Sequence, residues 1–448
     1  MQEATLTVTQ AVIGAIGLMN AVNNGPKEYG IDQVRGNFPA YKALEIPYAR
    51  VHDAAHCHHY GGRHSVDITC IFPDFSRDAD DPQAYDFRLT DIYLETMRAA
   101  GTEPFYRLGQ SIEHWKKKYG VNPPADFDKW AAICEHIVRH YNEGWADGFH
   151  WNIQYWEIWN EPDLNKPLAD GTPSPTWTGT DEQFFQLFET TARRLKAAFP
   201  ALKIGGPALA GVLEWADRFL ARMHEDGVPL DFFSWHAYAV TPEAIADKAV
   251  QVRALMDKHG YGKAESILNE WNYVRGWTED FAYSLLVESG DMNYKGAAFI
   301  AATMICCQHV PLDMLMFYDA RIDCGMNNMF HHITLEPLRG YYPFLAWMRL
   351  RRLGKELAVK TENGDGIYAV AATDGNGRLG LLVVRYTDDD NVTTPQHVSI
   401  RADGFNLTQA RCHITDKYFF YSEIVPETRE NNAINFVLKP NGFAFIEL

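Results

Sequence analysis

The chain has 448 residues, with 41 Lys and Arg against 58 Asp and Glu, which gives a formal net charge of -17. This excess of negative charge repels nucleic-acid phosphates and anionic lipid surfaces, so we expect neither as a partner. Hydrophobic residues make up 46% of the chain, and the length suits one barrel domain with a smaller companion.

From residue 11 to residue 350, short apolar strands alternate with helices whose hydrophobic positions recur every three or four residues. The predicted strands are Val12–Gly17, Pro47–His52, Glu103–Gly109, Ile153–Asn160, Lys203–Gly206, Phe232–Trp235, Ser266–Glu270 and Leu315–Tyr318. The predicted helices are Leu89–Ala100, Phe127–Tyr141, Glu182–Ala198, Leu213–Asp226, Pro242–His259, Asn293–Val310 and Tyr341–Leu353. Eight strands followed by helices or long loops predict an α/β fold, a TIM barrel over residues 11–350.

From residue 351 to residue 448 the pattern changes to alternating strands separated by turns. The predicted strands are Ile367–Ala372, Leu379–Tyr386, His397–Arg401, Ala410–Tyr418 and a final Ala433–Leu448. This pattern favours an antiparallel β-sandwich-like domain, which a further strand at residues 3–10 can join.

The N-terminal sequence resembles a strand more than a signal peptide, because Ala11–Met19 lacks a preceding basic segment and a following small-residue cleavage site. No apolar run reaches the roughly 20 residues that cross a bilayer. We therefore expect a soluble, cytoplasmic protein; a secreted protein whose leader was removed before Gln2 is the alternative. The seven cysteines show no paired spacing that indicates disulfides. The sequence leaves open whether the protein forms a homo-oligomer.

Two of the predicted strands end in a glutamate. The run Tyr155–Asn160 stops at Pro162, which has no N–H for a continuing ladder, so Glu161 lies at the strand's C-terminal end. The run from Ser266 delivers Glu270 in the same way. Reactive residues of TIM barrels come from these ends, and a glycosidase needs two carboxyl groups. We therefore interpret Glu161 and Glu270 as a catalytic pair.

Four segments together resemble glycoside hydrolase family 39, which lies in clan A of the retaining glycosidases and contains β-xylosidases and α-L-iduronidases. They are Trp156-Glu157-Ile158-Trp159-Asn160-Glu161-Pro162, Gly205-Gly206-Pro207-Ala208, Ser234-Trp235-His236-Ala237-Tyr238 and Asn269-Glu270-Trp271-Asn272. The Asn-Glu-Pro end alone is shared across the clan, whereas the order and spacing of all four are far more specific. The resemblance covers the predicted barrel and extends weakly into the C-terminal part.

The resemblance implies hydrolysis with retention, with Glu161 as acid/base and Glu270 as nucleophile. It also implies that Tyr238 donates a hydrogen bond to the nucleophile. Arg50 and Tyr238 would keep Glu270 ionised, and the charge of Glu270 would raise the pKa of Glu161. Once Glu270 carries the sugar, that charge vanishes and Glu161 can act as the base for water.

By the same resemblance, Asn160 contacts the sugar 2-hydroxyl, and Arg50, His52 and His236 line the innermost sugar site. For other candidates the residues alone do not decide between a role in binding and a structural role. Trp177, Trp271 and Trp277 can each stack on a sugar or pack in the core. Asp319 and Arg321 can bind sugar hydroxyls or pair with each other.

Two further features favour a structural interpretation. Glu157 lies deeper in its strand than Glu161 and fits a buried carboxylate paired with an arginine better than a second acid. A zinc site is conceivable in the histidine-rich run His52, His56, Cys57, His58, His59 and His64. The chain has no second matching cluster, so we expect no metal and no cofactor.

The sequence thus predicts a retaining exo-glycosidase that releases a terminal sugar from a plant-type oligosaccharide or glycoside. β-Xylosidase is the leading prediction, with α-L-arabinosidase, β-glucosidase and an endo-acting glycosidase as alternatives. No cluster of basic residues favours α-L-iduronidase, and the two glutamates argue against a non-catalytic carbohydrate-binding barrel. The segments Tyr318–Arg321 and Cys324–Asn328 depart from the xylosidase pattern and leave the sugar open.

Overall fold

The computed structural model describes residues 3–27, 36–53, 64–322, 325–428 and 432–448. The strands of the described chain are β1 (Ala4–Ala15), β2 (Leu18–Asn23), β3 (Tyr48–Val51), β4 (Glu103–Leu108), β5 (Tyr155–Ile158), β6 (Lys203–Leu209), β7 (Phe232–Ala239), β8 (Glu265–Tyr273), β9 (Met314–Phe317), β10 (Lys355–Glu362), β11 (Ile367–Thr373), β12 (Leu379–Arg385), β13 (Gln396–Ala402), β14 (Arg411–Thr415), β15 (Ser422–Ile424), β16 (Glu427–Thr428), β17 (Ile434–Leu438) and β18 (Gly442–Glu447). The helices are α1 (Phe38–Lys42), α2 (Ile68–Ile71), α3 (Arg88–Ala99), α4 (Phe127–Glu143), α5 (Asp181–Ala198), α6 (Leu213–Glu225), α7 (Pro242–Lys258), α8 (Phe281–Glu288), α9 (Asn293–Gln308) and α10 (Tyr341–Leu353).

Strands β2 to β9 close into a parallel barrel in chain order, which confirms the predicted TIM barrel. The lower, N-terminal layer of its interior is apolar and is filled by Ala21, Phe105, Tyr155, Phe232, Ile267, Met314 and Met316. Polar side chains begin one layer further along the strands, with buried Arg50 and Glu157. The strands therefore deliver their polar groups at the C-terminal face, as expected for this fold.

The first predicted barrel strand, Val12–Gly17, is wrong. Residues 4–15 form β1, which pairs with β10 and β13 of the second sheet, and the barrel begins at Leu18. Val12 and Ile13 are each 56% exposed although both are β-branched and apolar. The uninterrupted apolar run therefore holds parts of two strands, and hydrophobicity alone does not show where the first ends.

The second sheet has ten strands among the described residues, in the order β15-β14-β18-β12-β11-β10-β1-β13-β17-β16. Its pairings are antiparallel except for β1 with β13, which confirms a mostly antiparallel β-domain. Strand β10 and helix α8 were not predicted. The predicted domain boundary at residue 350 stays a prediction. Residues 4–15, although N-terminal, add strand β1 to the sheet of the C-terminal part.

Two hydrophobic cores meet in the central strands of this sheet. In β12, Leu382 and Val384 belong to the barrel's core, whereas Leu381 and Val383 belong to a separate core of the second sheet. Helix α9 lies between barrel and sheet, and residues Gly296–Ile305 are buried on every side. A helix that is buried all round needs apolar residues on all faces, which explains why α9 lacks a polar stripe. Within the described chain, no helix has both the length and the hydropathy of a membrane span.

The placement of β1 predicts its contribution to stability. Leu6→Ala removes a fully buried side chain from the second core and should lower the free energy of unfolding by about 2–5 kcal/mol. Val12→Ala is the matched control, because it truncates a side chain of the same strand that is 56% exposed, and should cost less than about 0.5 kcal/mol. Urea denaturation measures both, and equal losses would contradict this assignment of β1.

Candidate active site

The end of β5 makes a sharp turn that presents Glu161. Trp159 and Glu161 have left-handed backbone angles, with φ of 75° and 51°. Such angles are costly for residues other than glycine, by about 1–3 kcal/mol each, and persist only where neighbours fix them. The amide of Trp159 donates to the carbonyl of Leu108 at 2.8 Å, and that of Glu161 donates to the carbonyl of Ala208 at 2.9 Å. Hydrogen bonds to both adjacent strands thus fix the position of Glu161.

The guanidinium of Arg50 lies at the centre of the site and is fully buried. Its Nε donates to Glu157 Oε2 at 2.5 Å, and its Nη1 donates to Glu270 Oε1 at 2.7 Å and to Asn23 Oδ1 at 3.2 Å. Its Nη2 donates to Asn160 Oδ1 at 2.7 Å. Four of the five N–H donors of Arg50 are thus used by protein acceptors, so Arg50 positions its neighbours; its predicted contact with a sugar stays a prediction.

Glu157 is the structural carboxylate that the sequence indicated. Besides Arg50, it accepts from Ser234 Oγ at 2.6 Å and from Asn269 Nδ2 at 2.5 Å. Asn269 and Glu270 are adjacent, yet both side chains bond into the site. A regular strand would send them to opposite faces, but the pairing of β8 shifts register here.

Glu270 is 4% exposed and has several partners. Tyr238 Oη donates to its Oε2 at 2.9 Å, and His236 Nδ1 lies 3.5 Å from the same oxygen. Burial raises the pKa of Glu270 above its usual value, while His236, Arg50 and the Tyr238 hydrogen bond oppose that rise. The carboxylate is therefore held by donors on both oxygens.

Glu161 has a different set of charged neighbours. Burial, followed by the negative charge of Asp163, raises the pKa of Glu161 to about 8. The sequence predicted repulsion between Glu161 and Glu270; this repulsion is present and raises the pKa of Glu270, after burial, and Asp163 is a further anion that the sequence reasoning did not include. The carboxyl of Glu161 keeps its proton at neutral pH, as a general acid must.

His236 connects the two glutamates. Its Nδ1 lies 2.9 Å from Glu161 Oε1, and the ligand atoms of Glu161, His236 and Glu270 all lie within 4.8 Å of one another. Burial lowers the pKa of His236 to about 4, so its ring is neutral near pH 7. Among the described residues these three could also hold a metal ion by geometry. The expectation of a metal-free site stays a prediction.

Three residues that the resemblance places around the sugar each have a buried polar atom with no hydrogen-bond partner within the described chain. These atoms are Asn160 Nδ2, His52 Nδ1 and His236 Nε2. Leaving such groups unpaired costs free energy of about 1–3 kcal/mol each. A polyhydroxylated ligand can supply the missing partners.

The part of the chain that carries the two glutamates of this site matches a known protein family. Residues 56–311, more than half of the chain, match the profile of glycosyl hydrolases family 39. The chain belongs to this family. The β-xylosidase of Geobacillus stearothermophilus is 32% identical over 181 residues, which are 38% of this chain and 33% of that protein. The β-xylosidase of Caldicellulosiruptor saccharolyticus is 24% identical over 284 residues, 57% of this chain and 53% of that one.

A solved structure supports the fold over the whole chain. A glucosidase from Croceicoccus marinus superposes with a TM-score of 0.77 at 23% identity, covering 100% of this chain and 99% of that one. The chain spans about one third to about one half of the length of the two β-xylosidases it matches. Its own activity and substrate are therefore matters for proposal.

Two predicted substrate contacts, Trp271 and Asp319, have fully buried side chains. The ring of Trp271 is buried against Phe299 and Phe317, on the helix side of β8, and cannot stack on a sugar. Asp319 is fully buried, accepts from Asn24 Nδ2 at 3.1 Å and lies 3.3 Å from Arg321 Nη2. This ion pair is the alternative of mutual pairing for Asp319 and Arg321, and the contact of Asp319 with substrate stays a prediction. Neither burial was visible in the sequence, because both follow from which face of a strand or loop meets the core.

The other aromatic and histidine candidates are divided by burial. Trp177 is fully buried beside Trp159 and belongs to the core. Trp277 is 58% exposed, and its ring lies 4.9 Å from that of Tyr238, next to the site. His64 Nε2 lies 3.3 Å from Asp53 Oδ1. The remaining members of the histidine-rich run, His56, Cys57, His58 and His59, lie outside the described residues.

Asp163 and Asn23 are site residues that the sequence reasoning missed. Asp163 accepts from the amides of Ala210, Gly211 and Val212 at 2.9–3.0 Å, which holds its charge near Glu161. Asp163 directly follows Pro162, and this closeness to Glu161 in the sequence could have identified it as a charged neighbour of the acid. Asn23 was missed because the first barrel strand was placed too early.

The cause of the raised pKa of Glu161 gives a test. In ¹³C NMR of the protein labelled at glutamate carboxyls, Glu161, assigned with Glu161→Gln, should titrate at about pH 8. Asp163→Asn should lower this pKa, because removing a nearby negative charge makes ionisation easier. Asp170→Asn changes an exposed carboxylate in the same loop and serves as the control. An unchanged titration in Asp163→Asn would show that burial alone raises the pKa.

Proposed function

We propose that the chain is a retaining exo-glycoside hydrolase that releases a terminal pentose, as a β-xylosidase does, from plant-type oligosaccharides. The observation that carries the proposal is the approach of Glu161 and Glu270 to within 4.8 Å, with His236 between them. Retaining glycosidases separate their carboxyl groups by about 5–5.5 Å, and inverting ones by about 6.5–9.5 Å to admit a water. The short approach supports direct attack by one carboxylate.

In the first step, an oxygen of Glu270 bonds to the anomeric carbon while the glycosidic bond breaks. The proton of Glu161 passes to the departing oxygen, so the aglycone leaves as a neutral alcohol. Arg50 and Tyr238 hold Glu270 by the two hydrogen bonds described above, which orients the nucleophile before attack.

In the second step, Glu161 takes a proton from water, and the water oxygen bonds to the anomeric carbon. The bond between this carbon and Glu270 breaks, which regenerates the carboxylate and inverts the centre a second time. In our proposal the amide of Asn160, which has no partner in the described chain, donates to the sugar 2-hydroxyl, a contact that strengthens in the transition state.

The assignment of the sugar rests on the relatives. Both relatives described above are named β-xylosidases. The free donors and acceptors of Asn160, His52 and His236 support recognition of hydroxyl groups. Exposed Trp277 supports stacking against an apolar sugar face beside Tyr238.

A substrate panel tests the specificity. Among nitrophenyl β-D-xylosides, α-L-arabinosides, β-D-glucosides and α-L-iduronides, the β-D-xyloside should have the highest kcat/KM. On xylo-oligosaccharides, xylose should be the first product from an exo-acting enzyme, whereas early release of larger fragments would indicate endo action. A higher kcat/KM for another glycoside would replace the xylosidase assignment and leave the mechanism standing.

Chemical rescue tests the roles of the two glutamates. Glu161→Ala should lower kcat/KM by about 10²–10⁴-fold on substrates with poor leaving groups. Azide should restore turnover of activated substrates and give a glycosyl azide with retained configuration. Glu270→Ala with azide should give the inverted azide, because azide then attacks the substrate directly. Glu182→Ala removes an exposed carboxylate of α5 and is the control. Products of the opposite configurations would mean that the two roles are exchanged.

A further inference from the structure

The segment that follows β8, residues 274–280, borders the site. It carries Trp277, whose ring meets that of Tyr238 edge-on, with 4.9 Å between centroids and 80° between planes. Tyr238 in turn donates to Glu270. The amide of Val274 donates to the carbonyl of Ala239 at 3.1 Å, which attaches the start of the segment to the end of β7. The position of this segment therefore determines where Trp277 stands beside the site.

Asp388, in the connection between β12 and β13, binds the start of this segment. Tyr273 Oη donates to Asp388 Oδ1 at 2.6 Å. Arg275 Nη2 lies 3.1 Å from each carboxylate oxygen of Asp388. One carboxylate of the second sheet thus fixes two residues of the barrel, one on either side of Val274.

Asp388 also meets a buried cation. The side chain of Lys295 on α9 is fully buried, and its Nζ lies 2.9 Å from Asp388 Oδ1 and donates to Asp390 Oδ1 at 2.9 Å. A buried ammonium is stable only when it is paired, so these carboxylates of the second sheet neutralise it. Tyr283 Oη donates to Asp390 Oδ2 at 2.6 Å, and the Arg275 guanidinium lies over the Tyr283 ring at 3.8 Å. Two cations and two anions make the cluster neutral, which favours a rigid arrangement.

We propose that Asp388 is a positioning residue for substrate binding: by holding Tyr273 and Arg275, it keeps the segment 274–280 in place and Trp277 against Tyr238. The inference rests on the proposed function, because it takes Trp277 as a sugar contact. Asp388 itself does not touch the substrate. The second sheet then completes a site whose two glutamates come from the barrel.

The cluster around Asp388 does not contact the two glutamates directly. Glu270 accepts from Arg50, and the amide of Glu161 donates to Ala208 in β6, and neither bond involves the segment. Loss of Asp388 should therefore weaken binding more than the chemical step. This separation of KM from kcat distinguishes positioning from general stabilisation, which would lower the amount of active enzyme without changing KM.

Kinetics with a nitrophenyl glycoside test the proposal. Asp388→Asn keeps the shape and removes the charge; it should raise KM about tenfold and leave kcat within about twofold. Trp277→Ala should give a similar rise. The double variant should show little further increase, because both changes remove one coupled contact. Asp389→Asn, an exposed neighbour in the same connection, should match the wild type. Additive effects, or an unchanged KM in Asp388→Asn, would overturn the proposal.

Hydrogen exchange supplies a readout that needs no turnover. Amides of residues 274–281 should exchange faster in Asp388→Asn than in the wild type or Asp389→Asn, while those of β6 should not. Unchanged exchange would overturn the proposal, as would faster exchange with an unaltered KM. A wild type that hydrolyses no glycoside would refute the proposed function, and exchange would then decide whether Asp388 holds the segment. If Asp388→Asn does not fold, Tyr273→Phe removes one hydrogen bond to the same carboxylate and should act in the same direction, more weakly.

Discussion

The site depends on one buried cation. Arg50 binds Glu157 below it, Glu270 beside it and Asn160 above it, and has no exposed surface. Two carboxylates around one guanidinium leave a net negative charge, which Ser234 and Asn269 stabilise through hydrogen bonds to Glu157. Breaking a buried pair of this kind costs about 3–5 kcal/mol, because the partner's charge remains in the interior. The same contacts that keep the barrel interior stable therefore set the position of the candidate nucleophile.

The two glutamates differ because their neighbours differ. Burial raises the pKa of both carboxyls, and the charge of Arg50 opposes both rises. Glu270 in addition accepts direct hydrogen bonds from Arg50 and Tyr238, whereas the charge of Asp163 adds to the rise of Glu161. The two carboxyls thus lie in different surroundings, and double displacement requires such a difference between a nucleophile and an acid. His236 stays neutral between them and can donate to either without adding a charge.

The second sheet is joined to the barrel through both packing and charge. Helix α9 is buried between the two, and strand β12 contributes side chains to a core on each of its faces. Asp388 adds a polar connection, because it meets buried Lys295 and the end of the strand that carries Glu270. An accessory sheet attached in this way stabilises the barrel, and by our proposal it also holds the segment 274–280 beside the site.

The sequence by itself determined the barrel, the antiparallel domain and the catalytic candidates, because Pro162 ends a strand and places Glu161 at its tip whatever surrounds it. It did not determine which apolar strand joins which sheet, since exposed Val12 looks the same in sequence as a buried valine. It also did not determine which way Trp271 faces. A register shift in β8 turns both Asn269 and Glu270 into the site and leaves Trp271 in the core. Such shifts arise from pairing between distant strands, so only the tertiary structure decided them.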